Sequence, residues 1–143
     1  MLNGPRPRRQ GETLAEAFWE VVRCLRHTST ETLARWGVTP AQARALRVLA
    51  RHGTMRLKDL SGHLNISPRS GTEVVDELAR RDLVRRTPDP ADRRAVLVEL
   101  TAEGERVSVA MRSARATDAE RTFERLTDQD RADLLRILNK LRD

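Results

Sequence analysis

Residues 65–100, NISPRSGTEVVDELARRDLVRRTPDPADRRAVLVEL, change periodicity once, and that change decides the fold. The stretch opens on a turn, Asn65-Ile66, followed by Ser67-Pro68. A serine that can accept from free helical amides, then a proline with no amide hydrogen to satisfy, is a helix start. From there to about Arg81, Gly71, Val74, Val75 and Leu78 share one side. Arg69, Ser70, Thr72, Glu73, Asp76 and Arg80 share the other. This is the 3.6-residue period of an amphipathic helix. Residues 83–87 (LVRRT) and 95–100 (AVLVEL) are instead β-prone runs. Residues 88–94, PDPADRR, lie between them as a turn-rich charged loop, so the reading is a hairpin with a long tip.

Upstream, Leu14, Phe18, Val21, Val22, Leu25 and Leu33 recur at helical spacing through residues 11–36, with a stop at Gly37. Thr39-Pro40 starts a second helix whose stripe is Ala43, Leu46, Val48, Leu49 and Ala50, ending near His52-Gly53. Residues 54–57 connect it to a brief third helix over 58–64. Downstream, Thr101 starts a fifth helix with Val107, Met111 and Ala114 to one side. Thr127 starts a sixth, with the stripe Leu134, Leu135, Ile137, Leu138 and Leu141. The order predicts a mainly α chain with a small β-hairpin wing: a winged helix-turn-helix flanked by helices. Its parts are a disordered basic arm (1–10), a first flanking helix (11–36), the winged region (37–100) and two C-terminal helices (101–143), all in one domain.

At 143 residues the chain matches one ordinary domain. No apolar run approaches the ~20 residues that span a bilayer, and residues 1–10 are rich in Arg and Pro, unlike a signal peptide. Cys24 is the single cysteine and has no intramolecular partner, which fits a reducing compartment. The expected location is the cytoplasm, with no membrane partner. Net charge is +6 with a pI near 11.0, which suits a polyanionic partner. Aromatic residues are 3% and tyrosine is absent, against a base-stacking platform for single strands. No phosphate-cradling glycine loop, metal-ligand spacing or nucleophile–base pair is visible, so neither an enzyme, a cofactor nor a metal site is expected.

The face that remains is double-stranded DNA. The outward side of the fourth helix has no bulky apolar residue in its first turn, so it can enter a groove. Arg69 can bridge guanine acceptors, while Ser67, Ser70 and Thr72 can make single bonds. Glu73 can read a cytosine amino group or simply repel phosphate. Arg93 and Arg94 at the hairpin tip suit a narrow minor groove, and Asp92 beside them orients an arginine or braces the loop.

Asp92-x-Arg94 followed by Leu100-Thr101-x-x-Gly104 resembles the signature of the multiple-antibiotic-resistance regulator (MarR) family. Asn65-Ile66-Ser67, Thr72, Val75-Asp76, Leu78 and Leu83-Val84-x-Arg86 are similar to its recognition-helix pattern, and the likeness covers about residues 12–142. The resemblance implies a bacterial, nucleoid-associated homodimer. Its implied function is repression of its own or a neighbouring operon through a pseudo-palindromic operator, with a wing arginine in the minor groove. It also implies dimerisation through the first and last two helices.

Two departures carry expectations. Asp82 stands where the family has a helix-ending glycine, and should adopt the left-handed conformation at some cost. Lys58 takes the place of a capping serine or threonine, so a looser start is expected for the third helix. The family's peroxide sensors carry a reactive cysteine whose position falls near Ala15 here, about two turns before Cys24, and tyrosines to hold it. His27, His52 and His63 lack ligand spacing. A small anionic or aromatic ligand is what the resemblance leaves, with Trp19, His27, Trp36 and Arg44 as candidate lining residues. A sequence-indifferent architectural DNA binder is the competing reading.

Overall fold

The computed structural model describes residues 11–142. The basic arm expected over residues 1–10 lies outside the described residues. Helix α1 (Leu14–Ala34) begins with a reciprocal cap: the Thr13 hydroxyl accepts from the Glu16 amide, and the Glu16 carboxylate accepts from the Thr13 amide at 2.8 Å. Helix α2 (Pro40–His52) starts the same way on Thr39 and Gln42, with Pro40 in the first turn. Then follow β1 (Met55–Arg56), α3 (Leu57–Leu64), α4 (Pro68–Arg80), β2 (Val84–Asp89), β3 (Asp92–Leu100), α5 (Ala102–Phe123) and α6 (Asp128–Lys140). The tri-helical unit with its hairpin is the winged helix-turn-helix that the sequence order predicts.

Two features depart from the sequence reading. Residues 54–57 hold a short strand, and the sheet is three-stranded and antiparallel in the order β1-β3-β2. Two paired residues are too few to show a period, so this strand left no pattern to read. The long hairpin loop is also absent: β2 runs to Asp89 and β3 starts at Asp92, leaving Pro90 and Ala91 as the tip. Asp89 explains the tightness, because its carboxylate accepts from the Ala91 amide at 2.9 Å and from Arg56 Nε at 2.7 Å. Pro88, a turn residue by composition, sits instead within β2 beside a register shift. β2 is an edge strand, where a missing donor is tolerated.

The core lies between α2, α3, α4, the sheet and the first half of α5. Leu46, Leu60, Leu64, Val75, Leu78 and Val98 are fully buried there. On α2 it is Ala45 that is buried, whereas Ala50 of the expected stripe is exposed. Burying a leucine or valine removes enough apolar surface to contribute roughly 1.5–3 kcal/mol. The core holds α4 by its inner face and leaves its outer face in solvent.

Helix α3 ends on Asn65 in the left-handed conformation (φ 53), with the Asn65 and Ile66 amides bonded back to Gly62 and Ser61. Helix α4 ends likewise on Asp82 (φ 57): the Asp82 amide donates to Ala79, and the Leu83 amide to Leu78 at 3.0 Å. Leu83 and Leu78 are both buried, which gives this helix stop its apolar clasp. The third helix begins one residue earlier than expected, at Leu57, so Lys58 lies within it rather than at the cap; Arg56 holds the cap position and makes no side-chain capping bond.

Thr101 joins the wing to α5. Its hydroxyl donates to the Asp82 carbonyl at 2.5 Å, accepts from the Gly104 amide at 3.0 Å, and its own amide donates to the Leu83 carbonyl. Gly104 lies so close that a Cβ there would sit 1.9 Å from the Leu83 carbonyl oxygen. The Leu-Thr-x-x-Gly pattern is therefore a close backbone crossing, and any side chain at Gly104 would force it apart.

Candidate nucleic-acid interface

The first turn of α4 is held rigidly by its own side chains. Ser67 caps the helix, accepting from the Ser70 amide at 3.1 Å, and its hydroxyl donates to Ser70 Oγ at 3.0 Å. Thr72 donates back to the Pro68 carbonyl at 3.0 Å. Arg69 and Glu73 project from this turn into solvent, with Arg69 Nε 3.5 Å from Glu73 Oε1. The sequence-predicted residues Ser67, Arg69, Ser70, Thr72 and Glu73 thus share one helix end. Pro68 has no amide hydrogen and the Ser70 amide is capped by Ser67, so the aligned peptide dipoles and the Arg69 amide give this end the partial positive charge that favours a phosphate oxygen.

The wing sorts its arginines into two kinds. Arg85 grips Glu99 on the neighbouring strand through Nε and Nη2, at 2.9 and 2.6 Å. Arg86 pairs with Asp76 of α4, tying the wing to the helix. Arg93 and Arg94, beside the tip, are exposed and have no acidic partner among the described residues. Asp92 accepts from the Arg94 amide at 3.0 Å, so it braces the backbone. The wing therefore spends its inner arginines on structure and leaves its outer ones to solvent.

Residues that the sequence did not single out tie these parts to the rest of the fold. Arg56 clamps Asp89, whose carboxyl is held below its ordinary value by the Ala91 amide; burial opposes this, and Arg56 reinforces it. Arg81, just past α4, donates to the carbonyls of Trp36 and Gly37 at the end of α1. Their partners lie 33 to 45 positions away in sequence, so no local pattern marks them.

The candidate ligand-lining residues fall at separate places. Trp19 is exposed on α1 and packs edge-on against Phe18, with ring centroids 5.8 Å apart. His27, also on α1, faces Glu31 at 3.6 Å. Trp36 is half-buried against the core. Arg44 on α2 donates to the Leu64 carbonyl at 3.0 Å. Arg47, one turn on, has its pKa lowered by partial burial and by the nearby charges of Arg115 and Arg44. An open concavity of about 440 Å³ between α4 and β2 is lined by Asp76, Ala79, Arg80 and Arg86, and includes none of the four candidates. Among the described residues, no group of three or more His, Cys, Asp or Glu could hold a metal ion, and no helix is long and apolar enough to cross a membrane.

Residues 38–96 match the family model described as the MarR family. The chain is 30% identical over 128 residues to the helix-turn-helix transcriptional regulator YsmB of Bacillus subtilis, covering 90% of this chain and 88% of that protein. It is 29% identical to the transcriptional repressor MdtR of the same organism, over 78% of this chain and 72% of the other. The solved structure of a MarR family protein from Bacillus stearothermophilus superposes with a TM-score of 0.78 at 26% identity, over 90% of each chain. With its winged fold, capped recognition helix and paired wing in place, the chain belongs to the MarR family of DNA-binding helix-turn-helix transcriptional regulators.

Proposed function

We propose that this chain is a sequence-specific repressor of its own or a neighbouring operon, which binds a pseudo-palindromic operator as a homodimer. In this reading the first turn of α4 enters the major groove, with Ser67, Arg69, Ser70, Thr72 and Glu73 at the bases and phosphates. Arg93 and Arg94 enter the flanking minor groove, and Asp92 holds the tip. The observation that carries the reading is the division of the wing: Arg85 and Arg86 are neutralised by Glu99 and Asp76, while Arg93 and Arg94 are left without acids. Unpaired guanidiniums on a protruding hairpin suit the concentrated negative potential of a narrow minor groove. The repressor assignment draws on the likeness to MdtR.

Dimerisation is supported by apolar surface on the flanking helices. Leu14, Phe18 and Trp19 on α1 and Leu135 and Ile137 on α6, with Leu141 just beyond it, are exposed in the single chain, and α6 buries none of its residues. So much apolar surface on helices outside the core marks an association face. Release by a small anionic or aromatic ligand is the remaining clause. It is supported by Arg47, which feels the charges of Arg115 and Arg44, with no acid paired to any of the three among the described residues. Trp19, His27 and Trp36 complete the candidate lining if the second protomer brings α1 to that place.

A gel-shift titration tests the function, using duplex from upstream of the protein's own gene against random duplex. A discrete complex on the upstream duplex, surviving competitor and moderate salt, is expected. Equal affinity for both duplexes, with only a steep salt dependence, would favour a sequence-indifferent architectural binder.

A further inference from the structure

We propose that Arg69 and Glu73 act as a single reader of one G·C base pair in each half-site, Arg69 on the guanine and Glu73 on the amino group of its paired cytosine. This rests on the placement of α4 in the major groove proposed above. The two side chains are one helical turn apart, with Arg69 Nε 3.5 Å from Glu73 Oε1, and they remain 90% and 69% exposed. Two of the three hydroxyls around them already donate within the helix start: Ser67 to Ser70, and Thr72 to the Pro68 carbonyl. Most of the uncommitted hydrogen-bonding capacity of this turn therefore belongs to Arg69 and Glu73.

A carboxylate on a DNA-facing surface is repelled by phosphate unless a cation offsets it and a donor receives it. Arg69 supplies the offset. In the major groove the donors are the amino groups of cytosine and adenine. With Nε turned to Glu73, the two terminal nitrogens of Arg69 stay free to span guanine O6 and N7. Guanine O6 and cytosine N4 lie about 3 Å apart as hydrogen-bonded partners, so a guanidinium and a carboxylate already side by side can address the two bases together. Donor then meets acceptor and acceptor meets donor across one base pair. An A·T pair also offers a donor beside an acceptor, but thymine presents a guanidinium with one acceptor and a methyl group where guanine presents two acceptors.

Duplexes enriched from a random pool by the full-length protein supply the probe. Affinities are then measured for wild type, Arg69→Ala, Glu73→Ala and the double variant. The duplexes are the selected one, versions with each base pair exchanged, and versions with 7-deazaguanine. Both side chains are exposed, so the variants should melt with the wild type, and thermal unfolding checks this. The expected result is one G·C pair per half-site whose exchange costs wild type about tenfold. Arg69→Ala and Glu73→Ala each abolish that discrimination at the same pair, and the double variant discriminates no less than either. Loss of preference at two different pairs would overturn the proposal. So would a Glu73→Ala variant that binds every duplex more tightly with unchanged preference, since Glu73 would then only repel phosphate. A wild type that enriches no sequence would instead remove the major-groove reading beneath it.

Discussion

Arg81 Nη1 donates to the carbonyl oxygen of Gly37 at 3.0 Å, and its Nη2 donates to the neighbouring Trp36 carbonyl. One guanidinium thus joins the end of the recognition helix to the turn just beyond α1, near the helix end where a cation is favoured. Arg81→Ala should lower stability by about 1 kcal/mol, below the usual range for hydrogen bonds to charged groups because the site is exposed. Urea denaturation measures this. An unchanged midpoint would mean that the link contributes nothing in solution. The same variant should weaken operator binding further than its stability loss explains, because α4 loses its fixed angle to α1.

Asp82 holds a left-handed backbone at φ 57 in a helix stop that glycine accepts at no steric cost. Asp82→Gly should therefore raise stability by about 0.5–1 kcal/mol, less than the full left-handed penalty because glycine also gains freedom in the unfolded chain. The bond from the Thr101 hydroxyl is to the backbone carbonyl of residue 82, so it survives the substitution. A higher thermal midpoint with unaltered DNA affinity is expected. A lower midpoint would mean that the aspartate side chain contributes something the glycine cannot.

The wing tip should be acid-sensitive. The Asp89 carboxyl is lowered first by the Ala91 amide and then by Arg56, against an opposing effect of burial. Because the folded value lies below the unfolded one, ionised Asp89 stabilises the hairpin above about pH 4. That stabilisation declines as pH falls from there through the folded pKa. Asp89→Asn should be less stable than wild type at pH 7, and the gap should close in acid. Amide hydrogen exchange at the hairpin, compared across pH, reads this directly; a gap independent of pH would assign Asp89 no electrostatic role.

Much of the fold was legible because its elements carry periodic or capping signals. Ser67-Pro68, Thr39-Pro40 and Thr127 mark helix starts that the structure places at α4, α2 and α6. Leu57, in contrast, begins α3 without a cap, and β1 is only two residues long, so both boundaries were obscure. The tip misled for a different reason. Pro88, Asp89, Pro90 and Asp92 read as loop by composition, yet Asp89 uses its carboxylate to close a two-residue turn. The exposed candidates Arg69, Glu73, Arg93 and Arg94 were named from the sequence because charge on a helix end or hairpin is visible in the chain, and the structure leaves all four in solvent. Arg56 and Arg81 were not singled out, and Arg86 was named only within the family pattern, without its structural role. Each is defined by a distant partner, and only the folded chain shows which arginines are spent on structure.

The central claim is that the two arginines left free on the wing bind DNA while the inner ones hold it in shape. Fluorescence anisotropy on the operator duplex, with wild type, Arg94→Ala and Arg93→Ala/Arg94→Ala, tests this most directly. The double variant should unfold like wild type and lose tenfold or more in operator affinity, with a shallower salt dependence of about two fewer released counterions per protomer. Operator affinity and salt slope equal to those of wild type would contradict it.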